Sequence, residues 1–217
     1  MNSLSLENIE SSLRTVAKIS LDNENFFCDL DGEMGDADFG KTLADGFRAV
    51  LRQLDGDIDR SSIGTFLMKV GSAFAGSAGG TTGPMWGTAF LRAGINSKEK
   101  QTINLSDLVV MGRAAIAGMQ ARGKASQGDK TLLDALIPAV DKLEEYSHAA
   151  PGDLVPAFRA AAAAAEDAIE GTRNWTAKRG RQSYAGDRTI GTLDPGIVAV
   201  AMMLRAVAIE LGTEPAH

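Results

Sequence analysis

A chain of 217 residues can bury a sizeable core, as one large domain or two small ones. A net charge of −6 offers no basic face, so nucleic acid is not an expected partner. One cysteine, Cys28, excludes an internal disulfide and suits a reducing compartment.

The start, MNSLSLENIESSL, lacks the basic segment and apolar run of a signal peptide. No stretch reads as long and apolar enough to span a membrane, so the cytosol is the expected location. Of the two histidines, His148 is expected in a loop and His217 is the last residue. Neither lies near a motif, which argues against a histidine nucleophile or a histidine metal site.

The first predicted helix covers residues 5–23, with Ile9, Leu13, Val16 and Ile19 on one face. NFFCDL, residues 25–30, is the one short strand candidate and reads equally as a linker. Residues 42–54 repeat the helical spacing through Leu43, Phe47, Val50 and Leu51. Residues 61–74 open on a serine cap, and residues 82–95 carry Pro84 where a first turn tolerates it. Residues 104–123 end in glycine, and residues 131–146 contain Pro138, which predicts a kink. Residues 151–175 hold the strongest helical pattern, and residues 194–212 close the chain. About eight helices without a convincing strand predict one all-α domain over residues 1–217, an up-and-down antiparallel bundle.

Polar, glycine-rich motifs fall between alternate helices: DLDGEMGDADFGKT, GSAGGTTGP, GKASQGDKT and GRQSYAGDRTIGTLDPG. Alternate loops of such a bundle lie at one end, so the four motifs are expected on one rim. Within the first, Gly35 to Thr42 satisfy the P-loop pattern G-x-x-x-x-G-K-T. A P-loop follows a buried strand in a parallel sheet, and none is predicted here. Aspartates at two variable positions would also repel phosphate.

Asp31, Asp36 and Asp38 put three carboxylates within eight residues. They repel one another unless a cation lies between them. Hard oxygen donors suit Mg²⁺ or Ca²⁺, but an EF-hand fails because its glycine position falls on Met34 and its closing glutamate on Gly40. Mg²⁺ that shares its shell with phosphates fits. Turn residues at Asp31 and Asp36, with an N-cap at Asp38, would explain the spacing as well.

Gly79, Gly80, Thr81 and Thr82 offer close backbone approach, hydroxyls and the positive end of a helix dipole. A tight capped turn accounts for the same residues. Gly123, Gly128, Asp129, Lys130 and Thr131 mark another helix start, and Arg181, Arg188 and Asp194 follow in the fourth motif. Each alone reads as a surface ion pair or turn. Together they describe a polyphosphate–magnesium site.

The ordered set LDGEMGDADFG, GGTTGPMWGTAF, GDKTLLDAL and RQSYAGDRTIGTLDPG resembles the nucleotide-binding L subunit of the dihydroxyacetone kinase family, over nearly the whole chain. The resemblance implies a closed barrel of eight antiparallel helices with ADP or ATP at one rim. It implies that Asp31, Asp36 and Asp38 hold two Mg²⁺ ions on the nucleotide phosphates, with Arg181 acting beside them in catalysis. It places nucleotide contacts at Phe39, Gly40, Lys41, Thr42, Thr81, Thr82, Gly123, Leu132, Arg181, Asp194, Pro195 and Gly196. It further implies that the phosphoryl acceptor, dihydroxyacetone or a four-carbon ketose such as erythrulose, is held on a separate K subunit or domain.

In the same family, members that keep ADP bound are recharged by a phosphotransferase protein and usually carry histidine where this chain has Phe39. Direct use of ATP is therefore the expected mode, with the phosphotransferase protein as the alternative donor. A homodimer stays open. The competing reading is a helical module with a lipid in its apolar interior and nucleotide as a regulator.

Overall fold

A computed structural model describes residues 1–213 of the protein, so His217 lies outside the described residues. Capping chemistry sets where the helices begin at one end. Ser5 and Asn8 exchange side-chain and backbone hydrogen bonds at the start of α1 (Leu6–Asp22). The adjoining two-residue strand β1 (Leu4–Ser5) pairs antiparallel with β2 (Thr102–Ile103), which leads into α6 (Leu105–Gly123). Asn104 and Asp107 form the same reciprocal box at the start of α6. Ser62 caps α4 (Ile63–Ser77) and donates to the Lys98 carbonyl nearby. The first N–H of α8 (Leu154–Gly171) goes to the carbonyl of Met1. Four helix starts are thus satisfied at this end.

The chain runs back through α3 (Phe39–Leu54), α5 (Thr82–Asn96), α7 (Leu133–Ala149) and α9 (Pro195–Thr213). Each of the eight helices packs on the next: α1 on α3, then α4, α5, α6, α7, α8 and α9, which returns to α1. The result is an all-α fold whose helices form a closed circuit. A main core cluster inside it has Phe27, Phe47, Phe66 and Phe74 among its fully buried side chains, and a smaller one gathers Ile116, Met119, Leu133 and Val140. The α4 and α5 pair is the tightest. A Cβ on Gly71 would come within 2.9 Å of the Gly87 carbonyl oxygen, so the two backbones touch through glycine.

A ninth helix corrects the reading of NFFCDL as a strand or linker. It is α2 (Glu24–Gly32), which lies against α3 and α9. Phe27, Leu30 and Asp31 are its buried residues, at a helical spacing, while Phe26 faces outward. Two further expectations are corrected. His148 sits in the last turn of α7, not in a loop. The apolar α9 is long and apolar enough to cross a membrane, contrary to the sequence reading. Its most apolar stretch is 56% buried, packed on α1, α7 and α8, so its apolarity is that of a core helix. The pattern predicted over residues 151–175 stops as a helix at Gly171, and Pro138 lies inside α7.

Candidate nucleotide and metal site

The starts of α3, α5, α7 and α9 line one cavity of about 210 Å³. It lies at the end opposite the capped starts. N-cap residues Asp38, Thr81 and Leu132 make no side-chain cap bond to their helices. The positive ends of these helix dipoles face the cavity, although Asp31 takes the first N–H of α3, from Phe39, and Thr131 Oγ1 takes the first of α7, from Leu133. Gly80, at φ +56, bends the chain sharply into α5, a backbone conformation that side chains disfavour.

Beside these starts stand Asp31, in the last turn of α2, and Asp36 and Asp38 in the loop to α3. Their carboxylate oxygens lie within 4.8 Å of one another. Asp31 is buried, and its Oδ2 accepts from the N–H of Asp38 at 3.1 Å and of Phe39 at 3.3 Å. Burial raises the Asp31 carboxyl above the usual range, against the lowering effect of those two bonds. A Cβ at position 35 would fall 2.2 Å from Asp31 Oδ1, so only glycine fits there. Ala37, in the same loop, is held at φ +59, and such strain concentrates at functional sites. The Arg181 guanidinium donates to Asp36 Oδ2 at 2.7 Å, so one carboxylate of the cluster is paired with a cation. An all-carboxylate donor set suits a hard divalent ion such as Mg²⁺.

Of the expected contacts, Phe39, Thr42, Thr81, Thr82, Gly123, Leu132, Arg181, Asp194, Pro195 and Gly196 line this cavity together with the three aspartates. Gly40 and Lys41 lie outside the lining. Gly40 is the close approach of α3 to α2, where a Cβ would sit 2.0 Å from the Glu24 carbonyl oxygen. Lys41 points from the outer face of α3 to Asp45, one turn on. The P-loop spelling therefore sits between two helices, and its lysine turns away from the cavity. Arg188 also stays outside, with its Nε on the Ala185 carbonyl. Phe39 packs edge-on against Phe27 of α2.

Met85, Trp86, Ala125, Arg179 and Gln182 also line the cavity, and sequence reasoning missed them. Trp86 follows Thr82 by one helical turn, a spacing that could have revealed it. Arg179 and Gln182 belong to an irregular stretch with no period to read.

That stretch, with the 3-10 segment Arg181–Thr189, is tied down at its base. Lys130 is buried at φ +60, and its Nζ donates to the carbonyls of Arg173, Trp175 and Thr189 at 3.1, 3.0 and 2.6 Å. Burial lowers its pKa, while Asp194 supports its charge. Three acceptors require three N–H groups, which only the ammonium form supplies. Asp134, in the first turn of α7, accepts from the N–H groups of Gly128 and Thr131 and so shapes the loop that presents Lys130.

Asp194 caps α9 by accepting from the Ile197 N–H at 2.8 Å. Burial pushes its carboxyl from 3.8 up to about 7. Because the folded pKa exceeds the unfolded one, its stabilising contribution is present below about 4 and is lost as pH rises through about 7. The slope is at most about 1.4 kcal/mol per pH unit. Asparagine keeps the cap and removes the charge. Asp194→Asn should therefore unfold at higher urea than the unsubstituted chain at pH 8, with the gap closing towards pH 4. A gap that is constant with pH would contradict this assignment.

The DAK2 domain profile matches residues 33–209. The chain belongs to the DAK2 domain family. This DAK2 domain is 36% identical over 208 residues to the Escherichia coli protein named PEP-dependent dihydroxyacetone kinase, ADP-binding subunit DhaL, covering 95% of this chain and 98% of that one. It is 34% identical to the L-erythrulose 1-kinase of Mycolicibacterium smegmatis, over 94% of this chain but 35% of the relative. The crystal structure of the dihydroxyacetone kinase from C. freundii in complex with AMP-PNP and Mg²⁺ superposes with a TM-score of 0.71 at 25% identity. That match covers 92% of this DAK2 domain and 33% of the longer chain. This DAK2 domain thus spans nearly the whole of a separate subunit in one relative and about a third of two longer kinases.

Proposed function

We propose that the protein is the nucleotide-binding subunit of a ketose kinase, with residues 1–217 acting as one L-type domain. The observation that carries this reading is the meeting of three carboxylates with the starts of α3, α5, α7 and α9 in one cavity. Asp31, Asp36 and Asp38 would hold two Mg²⁺ ions, which supply charge neutralisation on the phosphates of ADP or ATP. The positive dipole ends of α3, α5 and α7 favour the phosphates, and Arg181 adds a positive charge beside them. The E. coli relative named as an ADP-binding subunit, and the C. freundii kinase with AMP-PNP and Mg²⁺, support the ligand assignment.

The acceptor is dihydroxyacetone or a related four-carbon ketose, presented by a separate K subunit, in the cytoplasm. Phe39 packs on Phe27 and offers no hydrogen bond to phosphate, so we favour ATP over a phosphotransferase protein as donor. The test mixes this chain with its K partner and follows phosphate transfer to dihydroxyacetone and to erythrulose, from each donor in turn. Transfer that needs both subunits is the expected result. No transfer under any combination contradicts the reading.

An apolar cavity of about 340 Å³ inside the helical circuit, lined by residues such as Leu13, Phe90, Met111 and Phe158, keeps a second reading in view. There the interior carries a lipid and the nucleotide regulates it. Unchanged magnesium-dependent affinity for ADP after Asp36→Ala and Asp38→Ala would favour that reading.

A further inference from the structure

Gln182 follows Arg181 in the 3-10 segment and lines the nucleotide cavity. It is only 4% exposed, yet neither Nε2 nor Oε1 has a hydrogen-bond partner among the described residues. Its neighbours are all engaged. Arg179 faces Asp129, Arg181 donates to Asp36, and Ser183 Oγ donates to the Gly180 carbonyl. Trp86, which borders both this cavity and the apolar one, also has a buried Nε1 without a partner. Buried polar groups are nearly always paired, so the orphaned Gln182 amide beside a cavity points to what fills it.

We propose that Gln182 is a nucleotide-specificity residue, whose amide takes a group of the bound nucleotide that both donates and accepts a hydrogen bond. This rests on the nucleotide reading above. A side-chain amide offers one acceptor and two donor hydrogens. Phosphate oxygens only accept, and they would leave Oε1 unpaired. The adenine edge, with its amino group beside a ring nitrogen, satisfies both ends of the amide, and a ribose hydroxyl can both donate and accept. A ketose carried on a partner subunit would arrive at the rim. Gln182 is instead a buried residue of the cavity lining.

The test compares the unsubstituted chain with Gln182→Leu, a change of similar volume. Calorimetry measures binding of ADP, 2′-deoxy-ADP, the purine riboside diphosphate that lacks the 6-amino group, and pyrophosphate, all with Mg²⁺. We expect Gln182→Leu to weaken ADP about tenfold or more and to leave pyrophosphate unchanged. One of the two analogues should reproduce that loss in the unsubstituted chain, and which one assigns the contact to ribose or base. Without ligand, the variant should unfold at the same or higher urea, because an unpaired buried amide has gone. Equal ADP affinity in both proteins, an equal loss for pyrophosphate, or two analogues that bind as well as ADP would each overturn the inference. Failure of the unsubstituted chain to bind ADP with Mg²⁺ would overturn the nucleotide reading itself, and this inference with it.

Discussion

Asp31→Ala should weaken magnesium-dependent ADP binding by at least about 100-fold, while Lys41→Ala should change it by less than about threefold. The contrast follows from where each side chain goes. The Asp31 carboxylate is buried, faces Asp36 and Asp38, and holds the loop by accepting two backbone N–H bonds. Its loss would remove one of the three proposed metal ligands and release the turn that aligns the other two. Lys41 is spent on Asp45 at the surface, where an ion pair contributes little. Asp31→Asn separates the two roles of the carboxylate, because the amide oxygen still accepts from the loop but the charge is gone. It should keep the fold and still lose most of the magnesium-dependent affinity. Calorimetric titration of ADP into each variant, with magnesium present and chelated, measures this. A harmless Asp31→Ala together with a crippling Lys41→Ala would restore the P-loop reading.

Lys130→Met should cost about 2–4 kcal/mol of stability and free the stretch that carries Arg181. The methionine fills similar space but leaves the Arg173, Trp175 and Thr189 carbonyls without their shared donor. Those carbonyls lie at the two ends of the stretch, so Lys130 closes its base as a clasp would. The Lys178 N–H to the Asp129 carbonyl, the Arg173 side chain to Glu170 and Gly191, the Gly191 N–H to the Arg173 carbonyl and the Ala177 N–H to Thr189 Oγ1 remain, which keeps the loss partial. Urea unfolding should show the loss of stability. Trypsin should cut the variant rapidly at Lys178, Arg179 or Arg181 under conditions that leave the unsubstituted chain intact. A variant as stable and as protease-resistant as its parent would show that the clasp is not needed.

The helices were legible because their apolar residues keep a period near 3.6 and their starts carry serine, asparagine or proline. The convergence of four motifs on one cavity followed from counting helices, since alternate loops of a bundle share an end. The short α2 escaped because Phe26 and Phe27 are adjacent and only Phe27, Leu30 and Asp31 show a helical face. The family resemblance placed Gly40 and Lys41 with the site, but a helix turns successive residues to different faces, and these two lie outside the cavity lining. Lys130 and Gln182 were opaque for another reason. Their surroundings come from residues 43 to 59 positions away for Lys130, and from an irregular 3-10 segment for Gln182. No local period records such contacts. The apolar α9 meets the length and hydropathy of a membrane span because a helix packed into a core carries the same composition.

The most direct test of the central claim is the metal dependence of ADP binding by the unsubstituted chain. Titrating ADP at millimolar magnesium and again with the metal chelated isolates the role of the three carboxylates. If they reach the phosphates through metal, affinity should fall at least about 100-fold on chelation, because bare carboxylates repel the ligand. Equal affinity with and without the metal would contradict the account, and would leave the helix starts as the phosphate site on their own.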